Sequence, residues 1–259
     1  MEGPAPAGKP AWLRAAGLSV AVMGLSVGSA LILVAVPFAL LALFLPGRQP
    51  LALVLGLLAA GLVSLGDQTS GLWYVERGWA LLLGGSFLAL TLRWPNVRFL
   101  PRGLGAVLGA ILGMSLLFRA RPGDWGIVEW LIRGRVQLAM SSGLATVRLN
   151  TGSEAVTGTI ETQAAQIVDL YSLVFPALVG LASLAALGLA WFLHKHVYRG
   201  AGPEIGALRD FRFNDQLVWI LIFGVMALLL SSGTLERVGT NAAVFMGALY
   251  ALRGAGVVL

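Results

Sequence analysis

The chain has 259 residues, of which 58% are hydrophobic and only 12% are charged, and its formal net charge is +6. A soluble protein of this length needs more polar surface, so the composition indicates an integral membrane protein. The basic residues lie between apolar stretches rather than along one helix face, which indicates topology signals and contacts with the lipid bilayer and argues against nucleic acid as a partner. Because cysteine is absent, disulfides and cysteine metal sites are excluded.

The amino-terminal tail at residues 1–16 begins with small residues and proline, so we expect it to be disordered and cytoplasmic. The first transmembrane half follows, over residues 17–118. Its first apolar stretch, residues 18–45, is long enough to cross a bilayer, and we expect Pro37 to bend or break the helix there. The next stretch, residues 51–65, is marginal for a span, since crossing about 30 Å of hydrocarbon takes roughly 20 helical residues.

Residues 72–92 are long enough to span and contain two adjacent ionisable residues, Glu76 and Arg77. Neighbouring side chains on a helix point about 100 degrees apart, so these two cannot simply pair with each other. We interpret the surrounding polar and aromatic group as a candidate ligand-binding site near the outer end of the helix, and anchoring at the membrane interface is the alternative. The candidate residues are Asp67, Gln68, Trp73, Tyr74, Glu76 and Arg77.

Small residues spaced four apart predict close helix packing, because they let two backbones approach each other in lipid. Gly105, Gly109 and Gly113 have this spacing in the short apolar stretch at residues 103–118. The first helix has it too and is the one that we expect to contact a partner helix. Its candidate contact residues are Gly17, Ala21, Gly24 and Gly28.

The connection at residues 119–167 is the one long loop, and we expect it on the extracytoplasmic side. Residues 125–140 have the pattern of a helix lying in the membrane interface. Residues 141–162 are rich in Ser, Thr and Gly, which predicts a flexible loop or a short pair of strands. The pattern leaves two roles open, a solvated lid without function and a gate over a binding cavity.

The second transmembrane half, residues 168–259, contains three apolar stretches. The first carries Ala182, Ala186 and Ala190 along one helix face, which again predicts close packing.

Polar residues occur just before the second of these stretches and within the third. Asn214 or Asp215 is placed to cap the next helix at its amino terminus. Arg253 lies deep in the last stretch, where it could pair with a carboxylate such as Asp169 or reach water near the chain terminus.

Basic residues mark the expected cytoplasmic side, because cytoplasmic loops carry the excess of Lys and Arg. They form three groups: Lys9 and Arg14; Arg93, Arg98 and Arg102; Lys195, Arg199, Arg209 and Arg212. If residues 51–65 form a short re-entrant helix, or one buried inside the bundle, all three groups fall on one side. We therefore predict an all-α, polytopic transmembrane helical bundle of six spans in the bacterial cytoplasmic (inner) membrane, with both termini cytoplasmic. Seven spans, with the first group opposite the others, is the alternative.

The sequence gives little sign of catalytic chemistry. His194 and His196 are two residues apart, so on a helix they diverge and cannot form a two-histidine metal face. A Walker-type phosphate loop and pairs of carboxylates at helical spacing within the spans are also missing from the sequence. We therefore expect no enzyme activity, no cofactor and no metal site.

Three carboxy-terminal segments carry a resemblance to a known family. They are ETQAAQIVDLYSLVFPALVGLASLAALGLAWFLHKHV, FRFNDQLVWILIFGVMALLL and LYALRGAGVV, all within residues 161–259. The chain resembles the YybS-like family of predicted bacterial membrane proteins of unknown function. That family is remotely similar to the S-components of energy-coupling-factor transporters. The similarity implies six membrane helices, a ligand cavity near residues 67–74 and the long outer loop, and a first helix that contacts a coupling partner.

The sequence therefore favours a small-solute binding or transport component that resembles an S-component and depends on membrane protein partner subunits for energy. Few polar residues lie inside the spans, which favours an apolar or aromatic ligand. The alternative is a non-catalytic structural or assembly subunit of a larger membrane protein complex. A carrier needs a pocket lined by polar groups, whereas a structural subunit buries its small-residue faces against neighbours.

Overall fold

The computed structural model describes residues 11–26, 29–45, 50–64, 71–120, 154–198 and 214–258, together with residues 126, 130, 133, 134, 136, 137 and 141. Within these ranges every regular element is a helix, which confirms the predicted all-α class. The helices are α1 (Ala11–Leu25), α2 (Ala30–Phe44), α3 (Pro50–Val63), α4 (Gly71–Arg93), α5 (Phe99–Ala120), α6 (Glu154–Tyr198), α7 (Val218–Leu230, after a 3-10 turn at Asp215–Leu217) and α8 (Thr234–Val258).

Three of these helices are long and apolar enough to cross a membrane. The spans are Trp73–Arg93, Phe99–Ala120 and Gln166–Val197. Four shorter apolar helices accompany them, at Leu13–Leu25, Ala30–Phe44, Leu53–Val63 and Asp215–Leu230. This pattern supports the predicted membrane location, since a soluble fold rarely uses helices that are apolar on every side.

The first apolar stretch is two helices rather than one bent span. Helix α1 already begins at Ala11, inside the tail expected to be disordered, and α2 begins after Ser29, whose backbone is extended (φ −74°, ψ 101°). Pro37 lies inside α2 and does not end it. The break therefore falls in the serine- and glycine-containing connection at residues 26–29, a composition that favours turns.

Neighbouring helices of the first half alternate in direction. A Cβ atom on Gly109 of α5 would lie 2.7 Å from Ser86 Oγ of α4, and one on Gly113 would lie 2.9 Å from Leu82, so α4 and α5 are antiparallel. Buried Ile32 and Val36 of α2 cluster with Ala80 of α4, and a Cβ on Gly84 would meet Pro37 at 3.1 Å, so α2 and α4 are parallel.

Helix α6 organises the second half. Its Ser183 accepts a hydrogen bond from Trp79 Nε1 and its Trp191 packs on Phe87, so α6 runs parallel to α4. Further contacts make α8 parallel to α6 and α7 antiparallel to α8. For α6 and α8 the contacts join Ser172 with Arg237 and Gly180 with Phe245. For α7 and α8 they join Gly224 with Ala242 and Leu228 with Gly239.

Helix α1 packs on α6, with Leu18 against Gly188. The connection at residues 26–29 is too short to reach from one end of α2 to the other, so α1 cannot run parallel to α2. It therefore begins at the end of the bundle where α2 finishes.

The alternating directions bring the described members of the three predicted basic groups to one end of the bundle. We call it the basic end: α1, α3, α5 and α7 begin there, and α2, α4, α6 and α8 finish there. The described members of the three groups are Arg14, Arg93, Arg98, Arg102 and Lys195. These described members share one end of the bundle, as predicted for their groups, and the break between α1 and α2 brings Arg14 to that end.

Helix α3 corrects the expectation that residues 51–65 form a helix buried inside the bundle, while the re-entrant alternative stays a prediction. It is one continuous helix that packs antiparallel on α2, because a Cβ atom on Gly56 would lie 2.9 Å from Ala42 while Val63 packs against the cluster of Ile32 and Val36. Most of its large side chains are exposed, so it lies on the outside of the bundle. Leucine-rich sequence permits either position in a membrane, and only the contact with α2 decides between them.

The long loop also differs from expectation. Helix α6 begins at Glu154, within the segment 141–162 that was expected to form a flexible loop or strands. The proposed interfacial helix at residues 125–140 lies largely outside the described residues, and the described positions in it are helical.

The core is built from bulky side chains interleaved with small ones. Leu41, Leu83, Phe87 and Leu187 are fully buried where α2, α4, α5 and α6 meet. The alanine face of α6 is fully buried as predicted, with Ala182, Ala186 and Ala190 at 0% exposure. Close packing of the α5 glycines is confirmed as well, because each meets a side chain of α4.

Candidate functional site

A buried arginine at the start of α5 is the most unusual polar feature of the bundle. Arg102 is 2% exposed although it lies in the first turns of the helix. The helix begins at Phe99 and includes Pro101, a residue that suits a first turn because it needs no N–H partner there. The sequence thus places Arg102 inside the helix, where its side chain turns toward α4 and α6.

Hydrogen bonds fix one edge of the Arg102 guanidinium. Its Nη1 donates to Thr91 Oγ1 at 3.3 Å, and the Thr91 hydroxyl donates to the carbonyl oxygen of Phe87 at 2.7 Å. The other two donor nitrogens, Nε and Nη2, are buried and have no hydrogen-bond partner in the described part of the chain. One side of the guanidinium is therefore held while the other is unsatisfied.

Aromatic rings surround this group. The Arg102 Cζ lies 4.8 Å from the centre of the Trp191 ring and 5.9 Å from that of Phe87. Phe99 packs edge-on against Phe87 at 5.8 Å, and the buried His194 stacks on Trp191 at 5.8 Å. These residues come from α4, α5 and α6, and we call them with Thr91 the arginine cluster.

A buried positive charge with two unsatisfied donors is costly. Leaving each buried donor without a partner costs about 1–3 kcal/mol, and more for a charged group, whereas a desolvated cation–π contact returns about 2 kcal/mol or more. Neither of the described ion pairs, Arg133 with Asp169 and Arg253 with Asp215, includes Arg102. The arginine cluster therefore has the chemistry of a site that accepts negative charge.

The predicted ligand residues lie at the opposite end of α4. Arg77 is 7% exposed, its Nε donates to the Val63 carbonyl at the end of α3, and its Nη1 donates to the Trp73 carbonyl. Its Cζ lies 3.9 Å from the centre of the Trp73 ring, and Trp73 meets Tyr74 edge-on. These bonds give Arg77 a structural role, since they satisfy a carbonyl that a helix end leaves without an intrahelical partner.

The structure brings Trp73, Tyr74 and Arg77 together, and Glu76 is half-buried beside them in the same helix. Asp67 and Gln68 lie outside the described residues. Ligand binding by this group stays a prediction.

The candidate partner contacts on α1 are open. A Cβ atom on Gly17 or Gly24 would meet nothing within 4 Å, and both residues are exposed, while Ala21 is half-buried. Gly28 lies outside the described residues. Contact of this face with a partner helix stays a prediction.

A polar joint connects α6 to α8 beside Pro176. Proline has no N–H, so the carbonyl of Ser172 lacks its usual helical donor, and Arg237 Nη2 donates to it at 3.3 Å. Asn241 Oδ1 accepts from the Ala177 N–H at 2.9 Å, and its Nδ2 donates to the Leu173 carbonyl at 2.8 Å. An unbroken helix would pair that N–H with that carbonyl, so side chains of α8 complete the hydrogen bonding of α6.

At the basic end of the bundle, the start of α7 is capped and is bonded to the end of α8. Asn214 Oδ1 accepts from the Gln216 N–H at 3.0 Å, which confirms the predicted cap. Arg253 Nη1 pairs with Asp215 at 2.7 Å, whereas the predicted alternative partner, Asp169, pairs with Arg133. The end of α8 is thereby tied to the beginning of α7.

Arg102 was not singled out from the sequence as a site residue. Arg93, Arg98 and Arg102 lie close together along the chain, a pattern that is typical of a loop between spans. Pro101 was the available signal, since it places the helix start ahead of Arg102. No group of three or more His, Asp or Glu side chains that could hold a metal ion occurs among the described residues.

Residues 137–259, just under half of the chain, match the sequence model of a family described as "Predicted membrane protein (DUF2232)". The match covers α6, α7 and α8, including the joint at Pro176 and the Trp191 side of the arginine cluster. No curated protein and no solved structure matches the chain.

Proposed function

We propose that the chain is a membrane-embedded binding component for a small solute, with the arginine cluster as its site. The burial of Arg102 with two unsatisfied donors carries this proposal, because a purely structural bundle gains nothing from an unpaired charge in its core. The surrounding Trp191 and Phe87 rings suit a solute with an apolar or aromatic part. We propose no enzyme activity, as expected from the sequence.

The proposal moves the binding site from the outer end of α4 to the basic end of the bundle. An S-component-like role, with partner subunits that supply energy, fits a protein that holds a solute and has the open α1 face for a partner helix. This similarity rests on the resemblance of the carboxy-terminal segments. It stays part of the proposal.

We propose further that all eight helices cross the bacterial inner membrane, with the basic end and both termini in the cytoplasm. The alternating directions support eight crossings, and the shared position of the three basic groups supports the orientation. The short helices α1, α2, α3 and α7 are the weakest members of this set by length, and each packs against a longer or central helix.

Reporter fusions distinguish this topology from the six-span one. A fusion at Gly47, between α2 and α3, should give a cytoplasmic signal, as should fusions at Pro95 and Pro203, while fusions at Gly28 and Gly66 should report the outer side. The six-span alternative places Gly47 outside. An extracytoplasmic signal at that position would therefore reject eight crossings.

Purification in mild detergent, followed by mass spectrometry of the small molecules and proteins that remain bound, tests the proposed function. We expect a small solute to be retained at a constant ratio to the protein. A protein that is free of solutes but bound tightly to other membrane subunits would instead establish the structural alternative.

That alternative has one observation in its favour. The exposed side of α1 carries Gly17 and Gly24, whose small size would let another helix approach closely. A stripe of small residues occurs in many membrane helices, so it ranks below the buried charge as evidence.

A further inference from the structure

We infer that the arginine cluster binds an oxyanion, a phosphate or carboxylate group, through the Nε and Nη2 atoms of Arg102. This inference rests on the proposed binding function and specifies the chemical class of the solute. It also makes the site a charged one inside an otherwise apolar bundle.

The identity of the unsatisfied donors supports an oxyanion. In a guanidinium group, the N–H bonds of Nε and Nη2 point in parallel along one edge, and this pair matches the two oxygens of a carboxylate or phosphate. Those two atoms are the buried nitrogens of Arg102 without a partner in the described ranges. The remaining nitrogen, Nη1, is the one bonded to Thr91.

The neighbouring side chains hold the guanidinium in place. Thr91 is 4% exposed and bonds both to Arg102 and to the backbone of its own helix, and the Trp191 ring covers the guanidinium at 4.8 Å. A donor pair that is already oriented loses little side-chain entropy on binding, which raises affinity. The cluster is therefore prepared for a planar, two-point contact.

The electrostatic setting favours an anion as well. Arg102 lies in the first turns of α5, where the unpaired N–H groups of the helix carry partial positive charge. Arg93 and Arg98 are exposed at the same end of the bundle and would draw an anion toward it. The described carboxylates that form ion pairs, Asp169 and Asp215, are taken by Arg133 and Arg253.

Thermal unfolding in phosphate-free detergent buffer tests the inference with two probes. Phenylphosphate represents a soluble oxyanion, and phosphatidic acid in mixed micelles represents a lipid headgroup. We expect one of them to raise the unfolding midpoint by about 5 °C at roughly one hundred times its Kd, and the active probe identifies the source of the oxyanion. Benzyl alcohol, which lacks the charge, should give no shift.

Variants assign the effect to Arg102. In Arg102→Met the shift should vanish, and because an unpaired buried charge is removed, the midpoint without probe should not fall. Arg102→Lys keeps the charge but not the parallel donors, so affinity should drop at least about tenfold. Thr91→Val keeps Arg102 but releases its Nη1, and a several-fold loss of affinity is expected. Arg119→Met, at an exposed residue near the other end of the same helix, is the matched control and should bind like wild type.

Three results of the unfolding measurements would overturn the inference. The first is that neither probe shifts the wild type, and the second is that Arg102→Met responds as the wild type does. The third is that Glu204→Gln or Asp210→Asn destabilises the wild type but not the Arg102→Met variant. A carboxylate of the chain would then be the partner of Arg102. Retention of a neutral solute by the Arg102→Met variant would overturn the oxyanion while leaving the proposed binding function standing.

Discussion

Asn241→Leu is expected to lower the free energy of unfolding by about 2–4 kcal/mol. The substitution keeps the approximate size of the side chain but removes its bonds to the Ala177 N–H and the Leu173 carbonyl. Pro176 hinders the regular helical geometry in which the Ala177 N–H would bond to the Leu173 carbonyl, so the two groups cannot easily replace their lost partner. Titration with SDS in mixed micelles measures the loss.

Two comparisons show whether the joint between α6 and α8 is the cause. Thr240→Ala, which removes a bond within α8 only, should change stability by less than about 0.5 kcal/mol. In a Pro176→Ala background α6 can close, so Asn241→Leu should cost clearly less there than in wild type. Equal costs in both backgrounds would contradict the assigned role of Asn241.

Gly239→Ala is expected to destabilise the protein by about 3 kcal/mol, because one methyl group has no room there. A Cβ atom on Gly239 would lie 2.7 Å from the backbone oxygen of Gly224 and 2.7 Å from the backbone nitrogen of Leu228. Backbone atoms cannot rotate away as a side chain can, so α7 and α8 would have to separate. The same unfolding titration measures the effect.

Gly247→Ala is the matched control, since it lies in the same helix and its Cβ would meet nothing within 4 Å. Alanine favours a helix over glycine by about 0.5–1 kcal/mol, so this variant should be as stable as wild type or slightly more stable. If both variants behaved alike, the close approach of α7 and α8 at Gly239 would be refuted.

Features that depend on local pattern were predictable from the sequence. The all-helical class follows from the apolar stretches, and the Asn214 cap and the packing of Gly109 and Gly113 follow from residue type and spacing. The common side of the basic groups was also predicted. The helical class, the cap and the glycine packing need only the residues within one or two helical turns, whereas the common side follows from the distribution of basic residues between the apolar stretches.

The break between α1 and α2 was missed for a physical reason. Serine and glycine are tolerated inside membrane helices, so residues 26–29 do not interrupt a hydropathy pattern, while Pro37 looks like a stronger breaker than it is. Lipid-facing and core helices are both apolar, so hydropathy also gives no position for α3.

Contacts between distant segments decided the remaining features. In the sequence, nothing distinguishes Asn241 from other polar residues. Its role becomes clear only when α8 is placed beside Pro176. Arg102 reads as part of a basic loop until the helix start at Phe99 and the neighbouring Trp191 are known. The functional interpretation changed for this reason, from the outer end of α4 to the basic end.

An experimental density map of the protein purified in phosphate-free buffer with phenylphosphate tests the central claim most directly. The account predicts density for an oxyanion within about 3 Å of both Nε and Nη2 of Arg102, beside the Trp191 ring. A map in which Arg102 points to solvent, or in which the carboxylate of Glu204 or Asp210 occupies that position, would contradict it.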